Sequence, residues 1–570
     1  MAMKIKSLVS VIASLVASVL LIACGAKKDP SEEAFETLFQ SVPADVSFFA
    51  GGYITMADQA KNQETGNWKK VVDALQSNPA ISEKFEKLLD ASPDAKYFFQ
   101  RWLGGSDFLT ALSDACAVAP APMAFVAYMD GDLDCTKKDL AFSFAATMGK
   151  EYVASAERFI ECCVHEQERT GRGEGRWKKE IVGEKKVFVY TEGKAVIAVA
   201  FCGNDMLVAS SRERLDALEA SFRNPTGASL KDSAVFEKAA AGVKKYNLVA
   251  LLNFDEFKDF RTAKADADFV EKLFRETAES LSFFVDIPFA EKTSDTLLRV
   301  EFSRPLCIHD ALSSMAKKKP QTLKNALPGA DYALGIALPD LSDELCKDMN
   351  VPAAHAEKIR RLDPKMLYLS VADSERIAGL VSGDTTSFPQ AFVKLECADN
   401  SVLKEEEGLA PIFQMAQKQE IDGVDVYSSI FFGIKYALLG RTDVYISNLF
   451  DASAALNLAR GKGKSLADDG MFNGVAGRIA GENAAEAFVN DRASTQLQLE
   501  MSRTVIAKEG LSVTEDVEST LAFYELFLTL VKKSIYGSAL RRNGTAIELH
   551  LAYECEYDFD ALAEAIKKLK

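Results

Sequence analysis

The stretch KVFVYTEGKAVIAVAFCGNDMLVASS, residues 186–211, decides the fold. Short apolar runs are broken at Glu192-Gly193 and at Gly203-Asn204-Asp205, residue types that supply tight turns. Three short strands joined by such turns form an antiparallel meander. The same arrangement returns at DVYSSIFFGIKYALLGRTDVYISN, residues 425–448, with turns at Gly433 and around Gly440.

Working outward, the matches continue in order. Helices RERLDALEASF and FDASAALNLAR follow the two meanders, then SLKDSAVFEKAAAGV from Ser229 and SLADDGMFNGVAGRI from Ser465, which share Ser-Leu, acidic residues and Phe236 or Phe472. The next strands are NLVALLNFDEF and AAEAFVNDRA, and each series closes through a long helix, a strand and a last helix: DTLLRVEFSRPLCIHDALSSMAKK from Asp295, TAIELHLAYECEYDFDALAEAIKKLK from Thr545. Upstream, SVPADVSFFAGGYITMAD from Ser41 answers to ALPGADYALGIALPDL from Ala326, and the helix KEYVASAERFIECC from Lys150 to KEEEGLAPIFQMAQ from Lys404. An ordered series of this length predicts an internal duplication. The expected fold is α+β: two tandem related copies, each a mainly antiparallel sheet with helices packed on one side. Copy 1 is set at 41–318, a linker around Pro320 at 319–326, and copy 2 at 327–570.

The N-terminus carries a different signal. Lys4 and Lys6 precede an apolar run from Leu8 to Ile22 that is short for a membrane span, and the run ends in Leu21-Ile22-Ala23-Cys24. This resembles a bacterial lipoprotein signal peptide over residues 1–23. The resemblance implies diacylglycerol on the Cys24 sulfur, cleavage before it, and a fatty acid such as palmitate on the new terminus. Gly25 stands where aspartate favours inner-membrane retention in those families, which implies an outer-membrane anchor facing the periplasm. Asp29-Pro30-Ser31-Glu32 reads as a helix start, so residues 24–40 form a lipidated terminus, a tether and a first helix. Residues 25–28 span on the order of 15–20 Å at most, which keeps the body near the bilayer.

Bulk composition bounds the function. The 570 residues are 48% hydrophobic and 26% charged, and loss of Lys4 and Lys6 moves the formal charge from −16 to −18. Such a surface repels phosphate backbones and argues against nucleic acid. Nine cysteines remain beside Cys24, an odd and irregularly spaced set that forms no disulfide framework.

Catalytic and metal motifs fail on inspection. Only four histidines occur, and the zinc-protease beginning His165-Glu166 has Arg169 where the second histidine must stand. Cys162, Cys163 and His165 cluster, but Cys163 shares a helical face with Tyr152, Ala156 and Phe159 and reads as core. Residues 461–465, GKGKS, lack the first glycine and the strand of a phosphate loop. Asp130, Asp132 and Asp134 alternate as in a calcium loop, yet Cys135 replaces its glycine and Ala141 its glutamate. No catalytic residue, cofactor or metal is therefore assigned.

Two segments suggest contacts instead. ERTGRGEGRWKK sets Arg169, Arg172, Arg176, Lys178 and Lys179 around glycines and Trp177; it reads either as a solvated hairpin or as an interaction loop for anionic head groups or an acidic partner. LAFYELFLTLV, residues 521–531, is apolar almost all round and reads as a helix buried under the sheet, or as one lining a lipid-sized cavity.

The Pro-small-Asp strand start, the Gly-Val-x-Val-Tyr meander opening at Gly423 and the Ser-Leu-acidic-Phe series resemble a family of exported bacterial proteins of unknown function. The first copy departs from it with Gly183-Glu184-Lys185-Lys186-Val187. The resemblance brings no catalytic residues. The expected role is a non-enzymatic interaction or scaffolding module of the cell envelope, held by lipid and meeting an envelope protein; the alternative is a carrier of lipid or another hydrophobic ligand, and an envelope hydrolase stands third.

Overall fold

A computed structural model describes residues 31–568 apart from 56–58, 61–65, 80–82, 84–92, 103–121, 130–140, 172–174, 183–184, 194, 225–226, 244, 257–268, 287–291, 341–351, 385–387, 406–414, 430–433 and 510–514. Helices and antiparallel strands mix throughout, an α+β chain. It divides into two compact units. The first runs to residue 291 and takes in Val300–Phe302 and Asp558–Lys570; the second comprises Lys292–Arg299 and Ser303–Tyr557.

In the first unit, helix α1 (Ser31–Gln40) leads into β1 (Phe48–Ile54), followed by α2 (Asn67–Ser77), α3 (Pro93–Trp102), β2 (Met123–Met129), β3 (Phe142–Met148) and the long α4 (Lys150–Thr170). The meander is β4 (Arg176–Val182), β5 (Lys185–Glu192), β6 (Ala195–Cys202) and β7 (Asp205–Ala209); α5 (Arg212–Arg223), α6 (Ala234–Ala240), β8 (Leu248–Asn253), α7 (Phe269–Thr277) and β9 (Ala278–Asp286) follow. Pairing is antiparallel in the order β4, β5, β6, β7, β3, β2, β1, β8, β9.

Directly paired residues share a face of a sheet. Gly51, Val126, Ala145 and Leu207 therefore lie in one row, and α1 covers it: Phe39 stacks on Phe49 at 4.6 Å and Phe35 meets Tyr53 at 5.7 Å. A Cβ on Gly51 would come within 2.9 Å of both the Phe35 and Phe49 rings, so only glycine fits beneath this helix. The opposite row, Phe125, Ala146, Met206 and Phe201, lies under α4, whose Tyr152, Val153, Ala156 and Ile160 are buried against it. Helices thus cover both faces, which corrects the expected one-sided arrangement. The cause is β6, AVIAVAFC, which has no polar side chain toward either face and so needs cover on both. Ile160 is fully buried, and Ile160→Val is expected to cost about 1 kcal/mol, read as a lowered urea midpoint at unchanged slope.

The second unit opens with part of β10 (Thr293–Phe302) and continues with α8 (Cys307–Ala316), β11 (Tyr332–Ala337), α9 (Ala353–Leu362), β12 (Pro364–Ala372), α10 (Ile377–Ser382), β13 (Gln390–Cys397) and the single turn α11 (Val402–Glu405). Its meander is β14 (Gln417–Ile421), β15 (Val424–Ser428), β16 (Lys435–Leu439) and β17 (Asp443–Ser447). Then come α12 (Ala452–Ala459), α13 (Leu466–Asp469), α14 (Asn473–Ile479), β18 (Ala485–Asn490), the helices α15 (Asp491–Glu509) and α16 (Glu515–Leu530), β19 (Val531–Asn543) and β20 (Ala546–Tyr557). Antiparallel pairing runs β14, β15, β16, β17, β13, β12, β11, β18, β19, β20. On one face Leu456, Leu466, Phe472 and Ile479 from the short helices bury against Phe392, Tyr445 and Phe488. Asp422 and Gly423, with φ of 50° and 75°, make the tight turn between β14 and β15, where an Asp-Gly pair is favoured.

The shared Ser-Leu-x-Asp spelling has a structural cause in each unit. Ser229 Oγ and Asp232 Oδ2 bond at 2.7 Å, and Leu230 N–H donates to Val42 O at 2.9 Å. Ser465 N–H donates to Asp468 Oδ2 at 2.8 Å, and Leu466 N–H to Ala326 O at 3.1 Å. The serine and aspartate cap the turn, and the leucine ties it to the chain that enters the first strand of the ladder.

The last helix, α17 (Phe559–Lys567), belongs by contact to the first unit. Leu562, Ala563 and Ile566 are buried, and Asn78 Nδ2 donates to Ile566 O at 2.6 Å. Conversely, α8 belongs to the second unit: Leu306 N–H donates to His309 Nδ1 at 2.9 Å, so Nε2 carries the proton and donates to Thr545 O at 2.9 Å. The sequence reading placed each of these helices with the copy preceding it.

Candidate functional site

Of the residues singled out in the sequence, Cys24, Arg172 and the Asp130 to Asp134 cluster lie outside the described residues. The remaining basic residues sit at the end of α4 and along β4. Arg169 donates to Glu166 at 3.0 Å and lies 5.0 Å above the Tyr97 ring. Trp177 packs on Tyr190 at 5.1 Å, and its backbone N–H donates to Gln167 at 2.6 Å. Lys178 pairs with Glu180 at 3.0 Å and Lys179 with Glu161 at 2.7 Å. Burial pushes the Glu161 carboxyl up, but Lys179 and Lys186 outweigh it and hold it below its ordinary value. Acidic partners on α4 thus offset Lys179 and Lys186, while Arg176 is exposed and the strand closes with Ile181 and Val182, 74% and 48% exposed.

Nucleophilic chemistry finds little support in the described thiols. Burial raises Cys162, Cys397 and Cys555, and pushes Cys163 up to about 12, whereas the thiolate is the reactive form. His165 Nε2 meets the Tyr97 hydroxyl at 3.2 Å. Among the described residues no group of three or more His, Cys, Asp or Glu could hold a metal ion. Ser465, at the end of GKGKS, caps α13. No side chain described between Leu521 and Leu530 is buried, which corrects the expected buried helix. Instead, α16 lies beside α15, where Arg503 bonds Glu525 at 2.7 Å, and its described apolar side chains are partly buried.

Two buried charge clusters escaped sequence reasoning. Arg299 and Glu548, with side chains 2% and 1% exposed, bond through the guanidinium Nε at 2.9 Å and again through Nη2. Glu548 also accepts from Arg541 and from Asn543, each at 2.7 Å. Lys394, on β13, reaches Glu396 at 2.8 Å and Asn325 at 3.1 Å and lies 5.9 Å above Tyr368, whose hydroxyl burial pushes up to about 12. The only local signal for either cluster is one charged residue inside an apolar strand, as in AFVKLEC.

The strands belong to one 20-stranded sheet and not to a separate sheet per copy as expected, and the surface best suited to function is the other face of the second unit's strands. Leu369, Val393 and Ile446 are directly paired across β12, β13 and β17, and Leu367, Leu395 and Val444 form the next row. Leu369 and Ile446 are 39% and 46% exposed, aliphatic residues that solvent disfavours. A cleft of about 260 Å³ in the same unit is lined by Asp340, Ile359, Arg360, Asp363 and Lys365, a charged lining ill suited to an acyl chain. No protein-family model, no curated protein and no solved structure matches this chain.

Proposed function

We propose that this chain is a lipid-anchored envelope protein that acts as a non-enzymatic interaction module, built from a duplicated α+β unit. The observation that carries the interaction reading is the half-exposed pair Leu369 and Ile446 on an aliphatic face, in a chain where burial raises the thiols of Cys162, Cys163, Cys397 and Cys555 and where Arg299 and Lys394 are paired with carboxylates. The anchor rests on the Leu21 to Cys24 motif, and Gly25 after it, by the same resemblance, favours the periplasmic side of the outer membrane. The duplication is supported by pairing orders that agree over nine strands, from β4 to β9 and from β14 to β19, and by hydrogen bonds that recur at corresponding places. Ser47 N–H donates to Met129 O and Asn253 N–H to Ser47 O; likewise Asp331 N–H donates to Val371 O and Asn490 N–H to Asp331 O.

The reading is tested in two steps. Cys24→Ala is expected to abolish labelling by a clickable palmitate analogue and to release the protein from the membrane fraction; retained labelling sinks the anchor. The body from Gly25 onward is expected to emerge bare from native mass spectrometry and organic extraction. A stoichiometric lipid there would replace the module by a carrier.

A further inference from the structure

We infer that the outer edge of β4 takes an extended acidic segment of a partner protein as an added strand. This deepens the interaction-module reading and rests on it, through a surface other than the one around Leu369. Val182 and Lys185 pair across a two-residue turn, which makes theirs a hydrogen-bonded pair. By alternation Val182, Glu180, Lys178 and Arg176 turn their backbone groups toward β5, and Trp177, Lys179 and Ile181 turn theirs away. Two bonds agree with that phase. Trp177 N–H donates to Gln167 Oε1 at 2.6 Å, and Gly175 O accepts from Gln167 Nε2. One side-chain amide thus takes the donor and the acceptor that a neighbouring strand would take. Past Gln167 the edge continues through Lys179 and Ile181, and among the described residues β4 pairs with β5 alone. Ile181 and Val182 are exposed, as is the Lys178 side chain.

Charge selects the occupant. Arg176, Lys178 and Lys179 outnumber Glu180 on this strand, in a chain of formal charge −16. Arg212 adds a further cation 3.7 Å from Glu180. Antiparallel pairing with a second copy would set Lys179 opposite itself at full overlap, and Lys178 or Glu180 opposite itself one step to either side, like-charge pairs that disfavour the ladder. The same cations favour a segment bearing carboxylates, and Ile181 favours an apolar residue beside it.

The probe is a labelled peptide of alternating valine and glutamate, matched to the seven residues of β4, titrated onto the full chain in phosphatidylcholine nanodiscs. Saturable binding is expected by fluorescence anisotropy, and at saturation the outward amides of Lys179 and Ile181 should exchange hydrogen about tenfold more slowly or less. A valine and lysine peptide should not bind, nor should the glutamate peptide methylated on every backbone nitrogen, which keeps the charge and loses the ladder donors. Ile181→Pro removes an outward N–H while sparing the bonds to β5, and should weaken binding about tenfold. Lys178→Glu serves if the proline disturbs the hairpin. Absence of binding, binding without amide protection, or binding indifferent to both variants overturns the added strand. Protection already present without peptide overturns it too, since the chain's own residues or a second copy then hold the edge. So does protection by phosphatidylglycerol nanodiscs alone, which assigns the edge to anionic head groups. A crosslinker at position 369 that traps an envelope protein leaves the module reading standing when the edge fails.

Discussion

Replacing Glu548 by alanine is expected to destabilise the second unit by about 3–5 kcal/mol, because it leaves the Arg299 guanidinium buried without its counter-charge. Arg541, about a third exposed, can turn to water; Arg299 cannot. Exchanging both partners for apolar residues, Arg299→Met with Glu548→Leu, should recover most of the loss, since the pair's desolvation cost disappears with its attraction. Amide hydrogen exchange along β19 and β20 reads the effect directly. Equal protection in the single variant and the parent chain would show that the pair contributes little.

The same group sets an acid limit. Burial alone would raise the Glu548 carboxyl, but Asn543, Arg299 and Arg541 together hold it below the ordinary glutamate value. A folded-state value below the unfolded one contributes stability that is present above the unfolded pKa and is lost as pH falls through the folded one. His309 acts in the same direction, since burial lowers its pKa and it must take up a proton once unfolded. Stability of the second unit should therefore decline from about pH 6.5 downward, first through His309 and at lower pH through Glu548. In the Glu548→Ala variant the later decline should flatten.

Deleting Asp558–Lys570 is expected to cost the first unit roughly 4–6 kcal/mol, from the lost burial of Leu562 and Ile566 together with the Asn78 amide left without its acceptor. All three tryptophans, Trp68, Trp102 and Trp177, lie in that unit, so tryptophan fluorescence reports its unfolding alone. The urea midpoint by fluorescence should fall sharply in the truncated chain, while Glu548→Ala should leave it nearly unchanged. A truncation whose fluorescence midpoint holds would show that α17 is dispensable to the unit it packs in.

The meanders were legible because turn residues and short apolar runs are local signals, and the capping serines were legible as landmarks before their role was clear. Cover on both faces of the first sheet was not. The uninterrupted run in β6 carries the information, but alternation elsewhere pointed to one buried face. The all-round apolar α16 read as buried because composition does not say that a helix's main neighbour is another helix. Arg299 and Glu548 lie 249 positions apart, beyond any spacing rule. The basic residues near Trp177 were visible, while the acidic partners that offset Lys179 and Lys186 stand on a helix that had to be folded first. Which unit receives α8 and α17 is likewise settled by contacts that no local pattern encodes.

Synthesis meets that last arrangement in one direction only. A chain made from its N-terminus exposes the whole of the first meander, its helices and its strands long before residues 558–570 leave the ribosome. The second unit has all its residues available by Tyr557, earlier than the first has all of its own. The unit that begins first is thus completed last, and any handler of the nascent chain meets an N-terminal half whose α2 still presents the surface reserved for the final helix.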